Sequence, residues 1–163
     1  MTHYWLDASV FIEAHNRTYP MGIMNSYWKW MAGRVADGTI VCPKLVYQEV
    51  VDGHERQDEL AKWFQTRKSS GLCVASDQAV QAQVGLISDY VFTEYKQHQA
   101  LDFSNGADPW VIAHALHDKG IVVTQESSLR PKAHKARIPD VCKHFNVPCI
   151  DGIKMLRDLK AKI

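Results

Sequence analysis

The sequence has no glycine-rich phosphate loop, no paired cysteines and no long apolar run, and each absence removes a class of function. Without a GxGxxG or GxxxxGK[ST] segment, Rossmann and P-loop nucleotide binding are excluded. The cysteines (Cys42, Cys73, Cys142, Cys149) are scattered, with neither a CxxC pair nor a Cys/His spacing, so they do not read as zinc ligands. They read instead as small buried hydrophobes of a reducing cytosol. No apolar run approaches the roughly 20 residues of a membrane span. The opening MTHYWLDAS has no basic n-region and meets an acid at position 7, unlike a signal peptide. The expectation is a cytoplasmic protein without a membrane partner. An excess of one charge is also lacking. The net charge of +1 leaves a polyanionic partner undecided, because a local basic patch suffices to bind one. With no repeat, low-complexity tract or Pro/Gly/Ser-rich linker, residues 1–163 read as a single domain.

What is present is a chain of short apolar segments alternating with amphipathic ones. Strands are predicted over residues 3–9, 39–42, 72–75, 121–124 and 147–150. Helices are predicted over 26–37, from Pro43 through Val51, over 57–68, after Asp77, from Asp108 to a stop at Gly120, over 139–145, and at the C-terminus. The helix after Asp77 carries Val80, Val84, Ile87, Val91 and Tyr95 on one stripe, and the last carries Ile153, Leu156, Leu159 and Ile163. Alternation of this kind specifies an α/β fold with a parallel sheet of four to five strands covered on both faces. In such sheets ligands bind at the carboxyl ends of the strands.

Three acids fall at that edge. Asp7 lies at the end of the first strand, in a run from Tyr4 to Ile12 that otherwise holds only apolar or small residues. A carboxylate there needs a cation, hydrogen-bond donors or water. Taken alone, it also reads as an Asp bonding a turn. Glu126 follows the IVVT strand by two residues. Asp108 opens the helix leading into that strand, and by itself reads equally as an N-cap followed by Pro109. There the helix dipole favours the ionised carboxylate. Carboxylates gathered at one edge repel unless a cation separates them, and Mg2+ or Mn2+ are the ions that prefer oxygen ligands. The spacing thus points to a generic metal-dependent phosphotransfer site. A haloacid-dehalogenase phosphatase is disfavoured, because its motif needs a second Asp where this chain has Ser9.

The run YWLDASVFIEAH resembles the opening of PIN domains, in which a strand ends in Asp followed two residues on by Ser or Thr. ADPWVIAHALHDKG is similar to the PIN helix that begins with the third acid, IVVTQES to the following strand, and PKLVYQEVVD to the segment carrying the second acid. The resemblance, to the VapC-type toxins of that family, implies a PIN-like three-layer α/β/α fold and a Mg2+- or Mn2+-dependent endoribonuclease. It implies catalytic, metal-binding roles for Asp7, Glu49, Asp108 and Glu126. Ser9 and Thr124 would support the site, Asp140 could share the fourth role, and Asp52 and Asp102 stand as rivals to Glu49 and Asp108. It further implies an RNA substrate, a cognate antitoxin and a homodimer. The sequence departs from the family at Glu126, where Asp or Asn is commoner, and lacks the usual Asp-Phe after it. A catalytically silent PIN-fold module that docks RNA or protein is the alternative.

The segment RPKAHKAR follows Glu126, and its Arg130, Lys132, Lys135 and Arg137 are candidates to neutralise RNA phosphates, or else make an ordinary solvated loop. Among the tryptophans, Trp5 and Trp63 are expected in the core, with Trp28, Trp30 and Trp110 left open. His114 and His117 share a helix without a ligand spacing and are expected at the surface.

Overall fold

In the computed structural model of the chain, which describes residues 1–53, 58–127 and 135–163, five parallel strands form the centre. β1 (Tyr4–Leu6), β2 (Ile40–Pro43), β3 (Cys73–Val74), β4 (Ile121–Val123) and β5 (Cys149–Ile150) lie in the order β3-β2-β1-β4-β5. β1 and β2 are buried along their whole length, which is why they read as continuous apolar runs rather than alternating ones.

Short helices fill every connection. α1 (Ala8–Glu13), a π turn (Ala14–Thr18) and α2 (Asn25–Ala36) join β1 to β2. α3 (Lys44–Asp52) and α4 (Glu59–Arg67) lead to β3. α5 (Gln78–Glu94), α6 (Gln97–Asn105) and α7 (Asp108–Asp118) carry the chain back across the sheet to β4, then α8 (Ile138–His144) joins β4 to β5 and α9 (Gly152–Asp158) follows. With right-handed crossovers, reversing the direction of travel after β3 places α1–α4 on one face and α5–α8 on the other. The expected three-layer α/β/α architecture holds, with five strands.

The first face is held by aromatic packing. Phe11 of α1 meets Phe64 of α4 edge-on at 4.7 Å, and Trp28 of α2 meets Trp63 of α4 at 5.2 Å. Trp28 and Trp63 are therefore core residues, as is Trp5, which stacks at 4.3 Å on His114 of α7 on the opposite face.

Several expectations are corrected. The single strand predicted over 3–9 is β1 followed at once by α1, since the apolar run 4–12 hides the change from strand to helix. α6 was not foreseen. Pro43 ends β2 and caps α3 rather than starting the helix. α9 buries Met155 and Leu156, while Ile153 and Ile163 are exposed. His114 is buried, with Nε2 2.8 Å from Ser76 Oγ, while His117 is exposed. Among the described residues no helix is long and apolar enough to cross a membrane.

Candidate active site

Strand order reverses between β1 and β4, and the crevice beyond their carboxyl ends is the ligand site of an open α/β sheet. The register pairs Leu6 with Val123, so the next residues, Asp7 and Thr124, stand side by side. The Asp7 N–H continues the ladder to the Val123 carbonyl at 3.0 Å. Asp7 occupies the cap position of α1 but makes no capping bond with its side chain. Its Oδ2 instead accepts hydrogen bonds from Ser9 Oγ at 2.7 Å and Thr124 Oγ1 at 3.0 Å.

Both hydroxyls have a second use. Ser9 Oγ accepts the Gln125 N–H and Thr124 Oγ1 accepts the Glu126 N–H, each at 3.1 Å. Each hydroxyl spends its only proton on Asp7, so their 3.4 Å separation is a packing contact. One oxygen of the buried Asp7 carboxylate thereby takes two neutral donors, and the ends of β1 and β4 are stitched together around it.

The other acids come from three more segments. Glu49, in the last turn of α3, reaches the N-terminus of α7, where its Oε1 accepts the Ala107 N–H at 3.1 Å. Glu126, beyond β4, accepts the Ile138 N–H at the start of α8 on Oε2 at 3.0 Å. Asp108 is the first residue of α7, with Ala107 in the cap position, so the N-cap role that its sequence allowed is not the one it takes.

These four carboxyls lie in one another's fields. Asp108 is pushed up to about 8, first by burial and then by Asp7, Glu126 and Glu49, with Lys135 opposing. Glu49 is raised by burial and by Asp7, against the Ala107 hydrogen bond. Glu126 is raised by burial and Asp7, against its Ile138 hydrogen bond, Arg137 and Lys135. Burial and repulsion thus work against the ionised form of Asp108 that the helix dipole favours.

The structure sorts the rivals as well. Asp52 and Asp102 are exposed, and Asp52 acts on Tyr47. Asp140 acts on Tyr90 and Tyr95, whose phenols are raised first by burial and further by its charge. Of the basic segment, Lys135 and Arg137 act on the acid cluster, while Arg130 and Lys132 lie outside the described residues.

The donor set suits a hard divalent cation, being all oxygen. Asp7, Glu49 and Glu126 each use one carboxylate oxygen on protein donors, leaving the other without a hydrogen bond among the described residues. No three side chains among the described residues already converge on a common metal position. Asp7, Glu49 and Glu126 are each turned toward an N–H or O–H donor of the chain instead. The residues fit the ion in the chemistry of their donors.

Sequence reasoning passed over Gln125, whose N–H is held by Ser9 and whose Oε1 accepts the Gly152 N–H at 3.3 Å, tying the cleft to α9. It also passed over the backbone donors Ala107 and Ile138. Main-chain N–H groups leave no mark in a side-chain pattern.

No curated protein matches the chain in sequence. Among solved structures, it is similar to a chain of VapBC2 from Rickettsia felis, crystallised bound to a DNA fragment from their promoter. The TM-score is 0.54 at 14% identity, over 92% of this chain and 98% of that one. The likeness is one of fold, and it agrees with the PIN-like architecture expected from the sequence. The model of a family described as a domain of unknown function, DUF4411, matches residues 4–163, and the chain belongs to that family.

Proposed function

We propose that the chain is a Mg2+- or Mn2+-dependent endoribonuclease that hydrolyses RNA phosphodiesters as the toxin of a type II toxin–antitoxin pair. One observation carries the reading. Four acids from four separate segments gather at the switch point of a parallel sheet, and Asp108 is pushed up to about 8 there by burial and then by the other three. Carboxylates held in this way destabilise the fold unless they serve a cation, and perturbed groups of this kind cluster at functional sites.

Asp7, Glu49, Asp108 and Glu126 would hold the ion, with Ser9 and Thr124 fixing the Asp7 carboxylate. The bound ion supplies Lewis-acid polarisation of the phosphodiester and a water of lowered pKa. The chain contributes the rest. Its carboxylates orient the attacking water and take up its proton, and Lys135 and Arg137 counter the phosphate charge. The similarity to a chain of a VapBC2 structure supports the toxin reading, and a small antitoxin able to fill the cleft is the partner it entails. A homodimer and a cytoplasmic site of action belong to the same proposal.

The test is incubation of the purified chain with single-stranded RNA in Mg2+ or Mn2+, and then with EDTA. Cleavage that requires the metal, and is lost in Asp108→Asn with the fold intact, is expected. Metal-independent cleavage would overturn the mechanism. Absence of cleavage with tight RNA binding would favour the silent binding module.

A further inference from the structure

Beside the acid cluster lies a cavity of about 370 Å³, lined by Pro43, Lys44, Leu45, Gln48, Ala75, Ser76, Gln81 and Trp110. It opens at the same sheet edge, where β2 and β3 end and α3 and α7 begin. Two of its walls are continuous with the site. Gln48 immediately precedes Glu49 and Leu45 lies one turn before it, while Trp110 stands in the first turn of α7 with Asp108.

The lining has a particular chemistry. Pro43, Leu45 and Ala75 give an apolar floor, and the half-buried Trp110 gives an aromatic wall. Gln48 and Gln81 bring amides, each both donor and acceptor, and Gln81 spends one donor on the Ser76 carbonyl at 3.3 Å. Lys44 is exposed at the rim, and among the described residues no carboxylate lines the cavity, so its charge suits a phosphodiester rather than a cation. His114, one turn along α7 from Trp110, bonds Ser76 and stacks on Trp5, which fixes the helix face carrying the indole. A π-face, a pair of amides and one rim cation are what an unpaired nucleobase with its phosphate requires.

Resting on the ribonuclease reading, we propose that this cavity holds one nucleobase of single-stranded RNA flanking the scissile phosphate, stacked on Trp110 and read by Gln48 and Gln81. Trp110 and the two amides then set sequence preference, while the acids perform the chemistry.

The test uses the full chain carrying Asp108→Asn, with 15N-labelled indoles, so that RNA is not turned over during the measurement. Nucleoside 5′-monophosphates and a short single-stranded RNA are titrated in turn. The resonance missing from the Trp110→Phe spectrum identifies Trp110, and it should shift with both probes. Trp110→Ala should weaken RNA binding roughly tenfold, and Trp110→Phe should restore most of it. In the otherwise wild-type chain, Gln48→Ala should change which RNA sequences are cut. A Trp110 resonance that stays still while RNA binds, or unchanged affinity in Trp110→Ala, overturns the proposal. If the wild-type chain fails to cleave RNA while Trp110 still responds to the monophosphates, the base site stands and the ribonuclease reading falls.

Discussion

Asp108 carries opposite consequences for stability and for chemistry. Its carboxyl is raised to about 8 in the fold, so the folded chain holds a proton that the unfolded chain releases above its ordinary value. Stability from this group is complete below the unfolded pKa and is lost as pH rises toward 8. Asp108→Asn should therefore stabilise the metal-free protein at pH 7–8 by roughly 4 kcal/mol, about 8–16 °C in Tm, by thermal denaturation. The same variant should lose RNA cleavage by about 100-fold or more; an Asn variant that is less stable and equally active would remove Asp108 from the cluster. His114 works with the opposite slope. Burial beneath Trp5 lowers it to about 4, against the fields of Asp118 and Asp77, which raise it. Its contribution is complete above about pH 6.5 and is lost as pH falls toward 4, a change of about 3 kcal/mol. His114→Gln should flatten that slope in denaturant titrations between pH 4 and 7. The two residues also differ in legibility. Asp108 announced itself as an acid at a helix start. His114 looked like a surface residue, because a lone histidine gives no sign that a distant Ser76 and Trp5 will enclose it.

Elements were legible where periodicity was long, and lost where it was short. α5 declared itself through Asp77, whose side chain caps it at the Val80 N–H at 2.9 Å, and through its buried stripe of Val80, Ile87 and Val91. α1 has only six residues, too few to show a 3.6-residue period inside an apolar run, and α6 is mostly polar. The junctions matter most for function, because they bring the acids to one edge. Gly120, between α7 and β4, stands at one of them. A Cβ there would lie 2.8 Å from the His3 carbonyl oxygen and 2.9 Å from Trp5 Cδ1, and a backbone atom cannot swing aside. Gly120→Ala should cost about 1–3 kcal/mol in chemical denaturation. The Ser9 stitch between β1 and β4 is the second such junction. Ser9→Ala removes a donor to Asp7 and the acceptor of the Gln125 N–H, at a cost of about 1–3 kcal/mol. It should also lower cleavage, since Asp7 is left less well fixed; full activity at unchanged stability would make Ser9 a bystander.

At the scale of the molecule, sheet order and the helices at its edge convert four acids far apart in sequence into one cleft. The alternation of strands and helices made Asp7, Asp108 and Glu126 legible, while Glu49 was legible only through the resemblance to PIN domains. The geometry within the cleft was not, because carboxylates freed to choose between backbone donors and a shared cation settle according to what is bound. The cleft should therefore tie the stability of the whole fold to divalent metal. An ion that binds only the folded chain stabilises it by about 2.7 kcal/mol at a hundredfold excess over Kd, roughly 5–10 °C for a chain of this size. Mn2+ or Mg2+ should raise Tm by that order at pH 8, and EDTA should reverse the rise. Because the ion must displace the proton held by Asp108, the increment should shrink as pH falls below about 8. The sign is opposite to that of the metal-free protein, whose Asp108 contribution grows as pH falls, so the two Tm–pH curves should converge toward acid pH. Parallel curves, or a wild-type Tm indifferent to both ions, would mean that the four carboxylates repel one another without a cation to serve.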